Sequence, residues 1–173
     1  MIERSDMLNN QAIELAAVGN FGDAIACFKR ALVIEKDNYL LWYNLGVTYR
    51  DFGDLNNAQN ALAAAYKINP YNDDVVETYA TICLSLGQHE RSVALCEEGI
   101  DFSPLNTHLW NLLGVNYFQT ERYEDAATCF EQAVFINPYY ADALFNLRDT
   151  YSQLGNAAGQ SECEKRLLEL NEK

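Results

Sequence analysis

Two histidines, five cysteines and a few paired acids are the side chains of this chain with a capacity for chemistry. His89 and His108 fit no HExxH-type metal spacing, and no two cysteines share the CxxC spacing of a zinc or redox site. The cysteines are Cys27, Cys83, Cys96, Cys129 and Cys163, an odd number without paired spacing. That pattern predicts reduced thiols in a cytoplasmic protein rather than a disulfide framework. The opening residues, Met1-Ile2-Glu3-Arg4-Ser5-Asp6, lack the apolar stretch of a secretory leader, which agrees with that expectation. Asp73–Asp74 and Glu97–Glu98 are adjacent pairs; adjacent residues on a helix point apart, so neither pair converges on one proton. The sequence contains no GxxxxGK[ST] or GxGxxG run, hence no recognisable phosphate cradle. The expectation is a chain without catalytic residues, cofactor or metal, and not an enzyme.

Charge narrows the partners. The 173 residues carry a formal net charge of −13. Such acidity repels nucleic-acid backbones and anionic lipid surfaces and favours basic protein partners. No apolar run approaches the length needed to span a bilayer.

The elements that must position any site are set by an internal repeat. Pro70, Pro104 and Pro138 lie 34 residues apart, Trp42 and Trp110 lie at twice that interval, and so do Gly46 and Gly114. Ala24, Ala58 and Ala126 fall on the same lattice, with Ser92 in the remaining place. The period divides the chain without insertions into blocks 5–38, 39–72, 73–106, 107–140 and 141–173, read as one array over residues 1–173. Each block holds two apolar-periodic stretches of helical length; in the second block these are 39–52 and 55–68. Between them Gly53 suits the left-handed geometry of a helix C-cap and Asp54 suits an N-cap. Trp42, Leu45 and Tyr49 make one buried stripe. Gly46, Ala58 and Ala65 leave room for two backbones to approach, and Pro70 stops the second helix.

The second block reads Trp42, Leu45, Gly46, Tyr49, Ala58, Leu62, Ala65, Pro70; the fourth reads Trp110, Leu113, Gly114, Tyr117, Ala126, Phe130, Ala133, Pro138. This pattern resembles the tetratricopeptide repeat (TPR) over residues 5–173. The resemblance implies an all-α, right-handed solenoid of stacked antiparallel helix pairs, about five repeats with the last degenerate and capping. The ends deviate accordingly. Gln11 and Lys36 replace the usual Leu and Pro in block one, and Arg148 replaces a small residue in block five. The final helix is polar on its outer face, with Glu162, Lys165, Arg166, Glu169 and Glu172. A terminal helix needs such a face, so the array is expected to end there.

In TPR proteins the first helices of successive repeats line a concave surface on which ligands lie. Carried onto this chain, the resemblance implies a partner-binding groove. Block one gives Asn9, Asn10 and Ile13. Block two gives Tyr43, Asn44, Val47 and Arg50. Block three gives Asp74, Glu77, Thr78, Thr81 and Leu84. Block four gives His108, Asn111, Leu112, Val115 and Phe118. Block five gives Phe145, Asn146, Asp149 and Ser152. Lysine is missing from these positions, and Glu77 and Asp149 oppose Arg50, which argues against the carboxylate clamp of chaperone-binding relatives. Asn10, Asn44 and Asn146 share one repeat position, resembling the asparagine ladder with which some TPR superhelices hold an extended backbone; an amide that both donates and accepts suits any sequence. The apolar members supply exposed area typical of interaction sites. The expected partner is a peptide or helix carrying apolar and basic residues. Self-assembly into a homo-oligomer is the alternative.

Overall fold

The computed structural model describes residues 4–171. Met1, Ile2, Glu3 and Glu172, used above for the leader and the capping face, lie outside the described residues. Ten helices and no strands make up the described residues. The chain divides into two compact units, Met1–Gln88 and His89–Lys173.

The first unit contains α1 (Ser5–Ala17), α2 (Phe21–Ile34), α3 (Tyr39–Phe52), α4 (Leu55–Ile68) and α5 (Asp73–Ser85). The helices of the second block thus occupy the expected 39–52 and 55–68. α1 pairs with α2 and α3 with α4. α3 also touches α1 and α5, whereas α2 and α4 make no such contact among the described residues. The first helices of the repeats therefore sit close together and the second helices are splayed, so the unit curves inward on its first-helix side. Gly46 makes the α3–α4 approach possible: a Cβ there would lie 2.7 Å from Leu62 Cγ. The interior is filled by Phe28, Leu62, Val75 and Ile82, each nearly inaccessible to water. Burying one such side chain contributes about 1.5–3 kcal/mol.

The second unit contains α6 (His89–Phe102), α7 (Thr107–Gln119), α8 (Tyr123–Ile136), α9 (Ala141–Gln153) and α10 (Ala157–Asn171). α7 pairs with α8 and α9 with α10, and α7 touches α9 directly. Phe130, Leu144, Leu147, Ala133 and Cys163 belong to its core. Gly114 is again a close approach: an added Cβ would stand 2.6 Å from the Phe130 ring. In the last pair Arg148 occupies that position and turns outward, where it donates to the Asp149 carboxylate at 2.6 Å. The tight contact has moved to Gly159, whose missing Cβ would meet the Tyr151 ring at 2.6 Å.

The caps follow the lattice. Asn38, Asn72 and Asn106 precede α3, α5 and α7, and each side chain accepts a hydrogen bond from a first-turn backbone N–H. Asp54 caps α4 by accepting from the Asn57 N–H at 3.1 Å. Gly19, Gly53, Gly87 and Gly155 all have φ between 68° and 88°. Glu121 occupies the same repeat position with φ 60°.

Candidate interaction surface

The first helices were the ones expected to carry the site, and the structure allows their side chains to be placed one unit at a time. In the first unit α1, α3 and α5 contribute Asn9, Asn10, Ile13, Tyr43, Asn44, Val47, Arg50, Glu77 and Leu84. None of these is buried: Asn10, Ile13 and Arg50 are exposed and the rest half-buried. That is the state of side chains standing on a helix face rather than in a core. Asn44 Nδ2 donates to Asn9 Oδ1 at 3.1 Å. The Arg50 guanidinium is held by its neighbour Asp51 at 2.8 Å, so much of its charge is already balanced locally.

In the second unit α7 and α9 contribute Asn111, Val115, Phe118, Phe145, Asn146 and Asp149. Val115, Phe118 and Gln119 from α7, Phe130 from α8, and Asn146 and Asp149 from α9 line one cleft of about 270 Å³. Phe118 packs edge-on against Tyr123 at 5.3 Å, which fixes its ring. Asn146 Nδ2 donates to Asn111 Oδ1 at 2.9 Å. The Asp149 carboxylate accepts from Arg148, whose guanidinium also lies over the Phe145 ring at 4.7 Å.

The amide geometry differs from the ladder that the sequence suggests. The shared position of Asn10, Asn44 and Asn146 does not form a row of its own. Each pair joins one helix to the next, Asn9 with Asn44 and Asn111 with Asn146, 35 residues apart in both cases. One donor and one acceptor are consumed within each pair. A donor from the Asn9 or Asn111 amide and an acceptor from Asn44 or Asn146 remain to meet a peptide backbone. The 35-residue separation is one more than the 34-residue period, and periodicity alone does not show that offset.

Other polar groups serve the scaffold. Asn116, fully buried on α7, donates to Ser92 Oγ and to the Leu112 carbonyl, both at 2.9 Å. His89 Nδ1 lies 3.4 Å from Asn116 Oδ1. No spacing rule links residues 89 and 116, so this contact was not legible in the sequence. The His108 and Tyr140 rings meet at a tilt, 5.1 Å apart, and share a hydrogen bond at 3.1 Å. The five cysteines are all buried, and none is in a disulfide among the described residues. Cys27, Cys129 and Cys163 share one repeat position and all three lie in the core. Burial above all, then the nearby Asp125 and Glu97 carboxylates, pushes the Cys129 thiol up to about 12, with Arg122 opposing. No group of three His, Cys, Asp or Glu side chains able to hold a metal occurs among the described residues. No helix among them is long and apolar enough to cross a membrane.

Known proteins place this architecture. The solved structure of MamA residues 41 to the end from Desulfovibrio magneticus RS-1 has a TM-score of 0.88 at 18% identity, covering 97% of this chain and 95% of that one. YrrB, solved as a TPR protein with an unusual peptide-binding site, gives 0.76 at 19% identity over 94% of this chain and 84% of that one. At these identities the likeness is one of fold. Among curated proteins, the BBSome complex member bbs-4 of Caenorhabditis elegans is 25% identical over 130 residues, which is 75% of this chain. The chain spans 28% of the length of that relative. Residues 20–139 match the model of the cytochrome c-type biogenesis protein H TPR domain, and the chain belongs to that tetratricopeptide-repeat family.

Proposed function

We propose that this chain is a protein-interaction adaptor that holds a peptide or helical segment on the first-helix face of its repeats, and that it is not an enzyme. The observation that carries this reading is the cleft of the second unit, where Val115, Phe118 and Phe130 offer apolar walls beside Asn146 and Asp149. An apolar side chain of the partner enters it, while the Asn111–Asn146 pair of the same unit meets the partner's backbone. The proposal takes residues 5–173 as one repeat array and the protein as cytoplasmic, in keeping with five buried, reduced thiols. YrrB's peptide-binding site and bbs-4's membership of a complex support a binding role by analogy only.

Asp149 is already paired with Arg148, so it contributes less selectivity for basic residues than its position suggests. Asp74 and the net charge of −13 carry that preference instead. The same charge disfavours nucleic acid and anionic membranes as partners. The test is affinity capture with the wild-type chain and with Phe118→Ala, followed by mass spectrometry. The proposal requires a protein that the variant fails to retain although its helicity is unchanged. A captured protein held equally by both would contradict it. Light scattering over a range of concentrations separates a foreign partner from a second copy of the chain.

A further inference from the structure

A second cleft lies on the opposite, outer side of the first unit, where the splay of α2 from α4 opens a wedge over the back of α3. It encloses about 500 Å³, within the roughly 300–1,000 Å³ of ordinary ligand clefts. Leu32, Val33, Trp42, Leu45, Ala61 and Ala64 give it apolar walls. Val33 is 87% exposed and adds apolar surface at the edge of the cleft; its repeat equivalent Phe135 is 81% exposed. The Trp42 indole N–H is already satisfied by the Lys36 carbonyl at 2.8 Å, so the ring contributes apolar surface alone. At the rim Lys29 sits 5.8 Å from the Tyr49 ring centre.

The repeat lattice provides an internal comparison, because the second unit builds the same junction differently. Lys29 corresponds there to Glu97 and to Glu131. Glu97 accepts from the Tyr117 hydroxyl at 3.2 Å, and Glu131 from the Tyr151 hydroxyl at 2.7 Å. Arg122 covers the Tyr117 ring at 4.3 Å. Cys129 and Gln132 replace the small Ala61 and Ala64. In the second unit tyrosine hydroxyls thus reach acids across the junction, whereas the first unit puts a cation on its edge. The outer helices repeat the contrast in charge. α2 and α4 carry Lys29, Arg30 and Lys67 against Asp23 alone, while α6 and α8 carry seven acids against Arg91. Asp54, the nearest acid in the chain to Asn57 of the cleft wall, is turned into the α4 cap, where the Asn57 backbone N–H and side chain both bond it.

We propose that this outer cleft is a second docking site, for an acidic protein segment that inserts a large apolar side chain between α2 and α4. The apolar walls and exposed Val33 receive the side chain, and Lys29 at the rim selects the acidic flanks. The site is separate from the first-helix face, so one chain can hold two different segments, one on each side.

The probe is the peptide acetyl-Asp-Glu-Phe-Glu-Asp-amide, titrated into a Trp110→Phe chain in which Trp42 is the single tryptophan. The expected result is a saturable change in Trp42 emission at low salt that weakens as salt is added. The same peptide with Ala in place of Phe should bind weakly. Lys29→Glu should weaken binding about tenfold or more, and Ala64→Leu, which fills the wedge, should abolish it. Lys29 is exposed and its repeat equivalent is already Glu97, so that variant should fold normally by circular dichroism. Calorimetry on the chain with both tryptophans should give the same affinity. Absence of saturable binding would overturn the proposal. So would equal affinity in both cleft variants, or loss of binding in Phe118→Ala instead, which would move the peptide to the first-helix face.

Discussion

Gly114 and Arg148 occupy the same repeat position and do opposite things. Gly114 lets α7 and α8 close until an added Cβ would meet the Phe130 ring at 2.6 Å; Arg148 turns away to Asp149. Gly114→Leu should therefore cost about 1–3 kcal/mol or more through overpacking, while Arg148→Leu should change stability little. Urea unfolding of the two variants checks this, and equal effects would show the register to be wrong. Cys129 makes a second residue-scale prediction. Its thiol is held up to about 12, so at pH 8 it should react with iodoacetamide at least about a hundredfold more slowly in the folded than in the unfolded chain. The sign for stability follows. The folded state favours the neutral thiol, so this contribution is complete below the ordinary thiol value of 9.0 and is lost as pH rises toward about 12. A native-state rate close to that of the unfolded chain would contradict the burial.

Between elements, the turn joining α7 to α8 departs from the glycine pattern of the repeat. Glu121 holds φ 60° where the other four blocks have glycine. Left-handed geometry costs a residue with a Cβ roughly 1–2 kcal/mol, partly offset because glycine loses more entropy on folding. Glu121→Gly should thus stabilise the protein by about 0.5–1 kcal/mol, read as an increased unfolding midpoint in urea without a change of slope. The helices themselves were legible in the sequence, because proline, glycine and the Trp-Leu-Gly-Tyr stripe each mark a boundary or a buried face. The asparagine N-caps at 38, 72 and 106 were equally regular and were passed over in favour of the stronger apolar lattice. The pairing of Asn9 with Asn44 was not legible, since it depends on how one helix slides along the next. Nor was the outer cleft: a period shows that Lys29 and Glu97 are equivalent, but whether a tyrosine hydroxyl reaches that position is a matter of three-dimensional distance.

For the molecule as a whole, the central claim is that partners are held on the first-helix side. In that proposal the acidity of the chain shapes which partners arrive and how fast, and the placement of Phe118, Val115 and the asparagine pairs chooses the face. Site-specific photo-crosslinking addresses that choice most directly. A photoreactive phenylalanine analogue at position 118 in the cleft wall is compared with the same group at position 132 on exposed outer α8, each against the protein recovered by affinity capture. The account predicts an adduct from position 118 and none from position 132, with circular dichroism identical for the two. An adduct from position 132 with none from position 118 would put the partner on the outer face and contradict the claim.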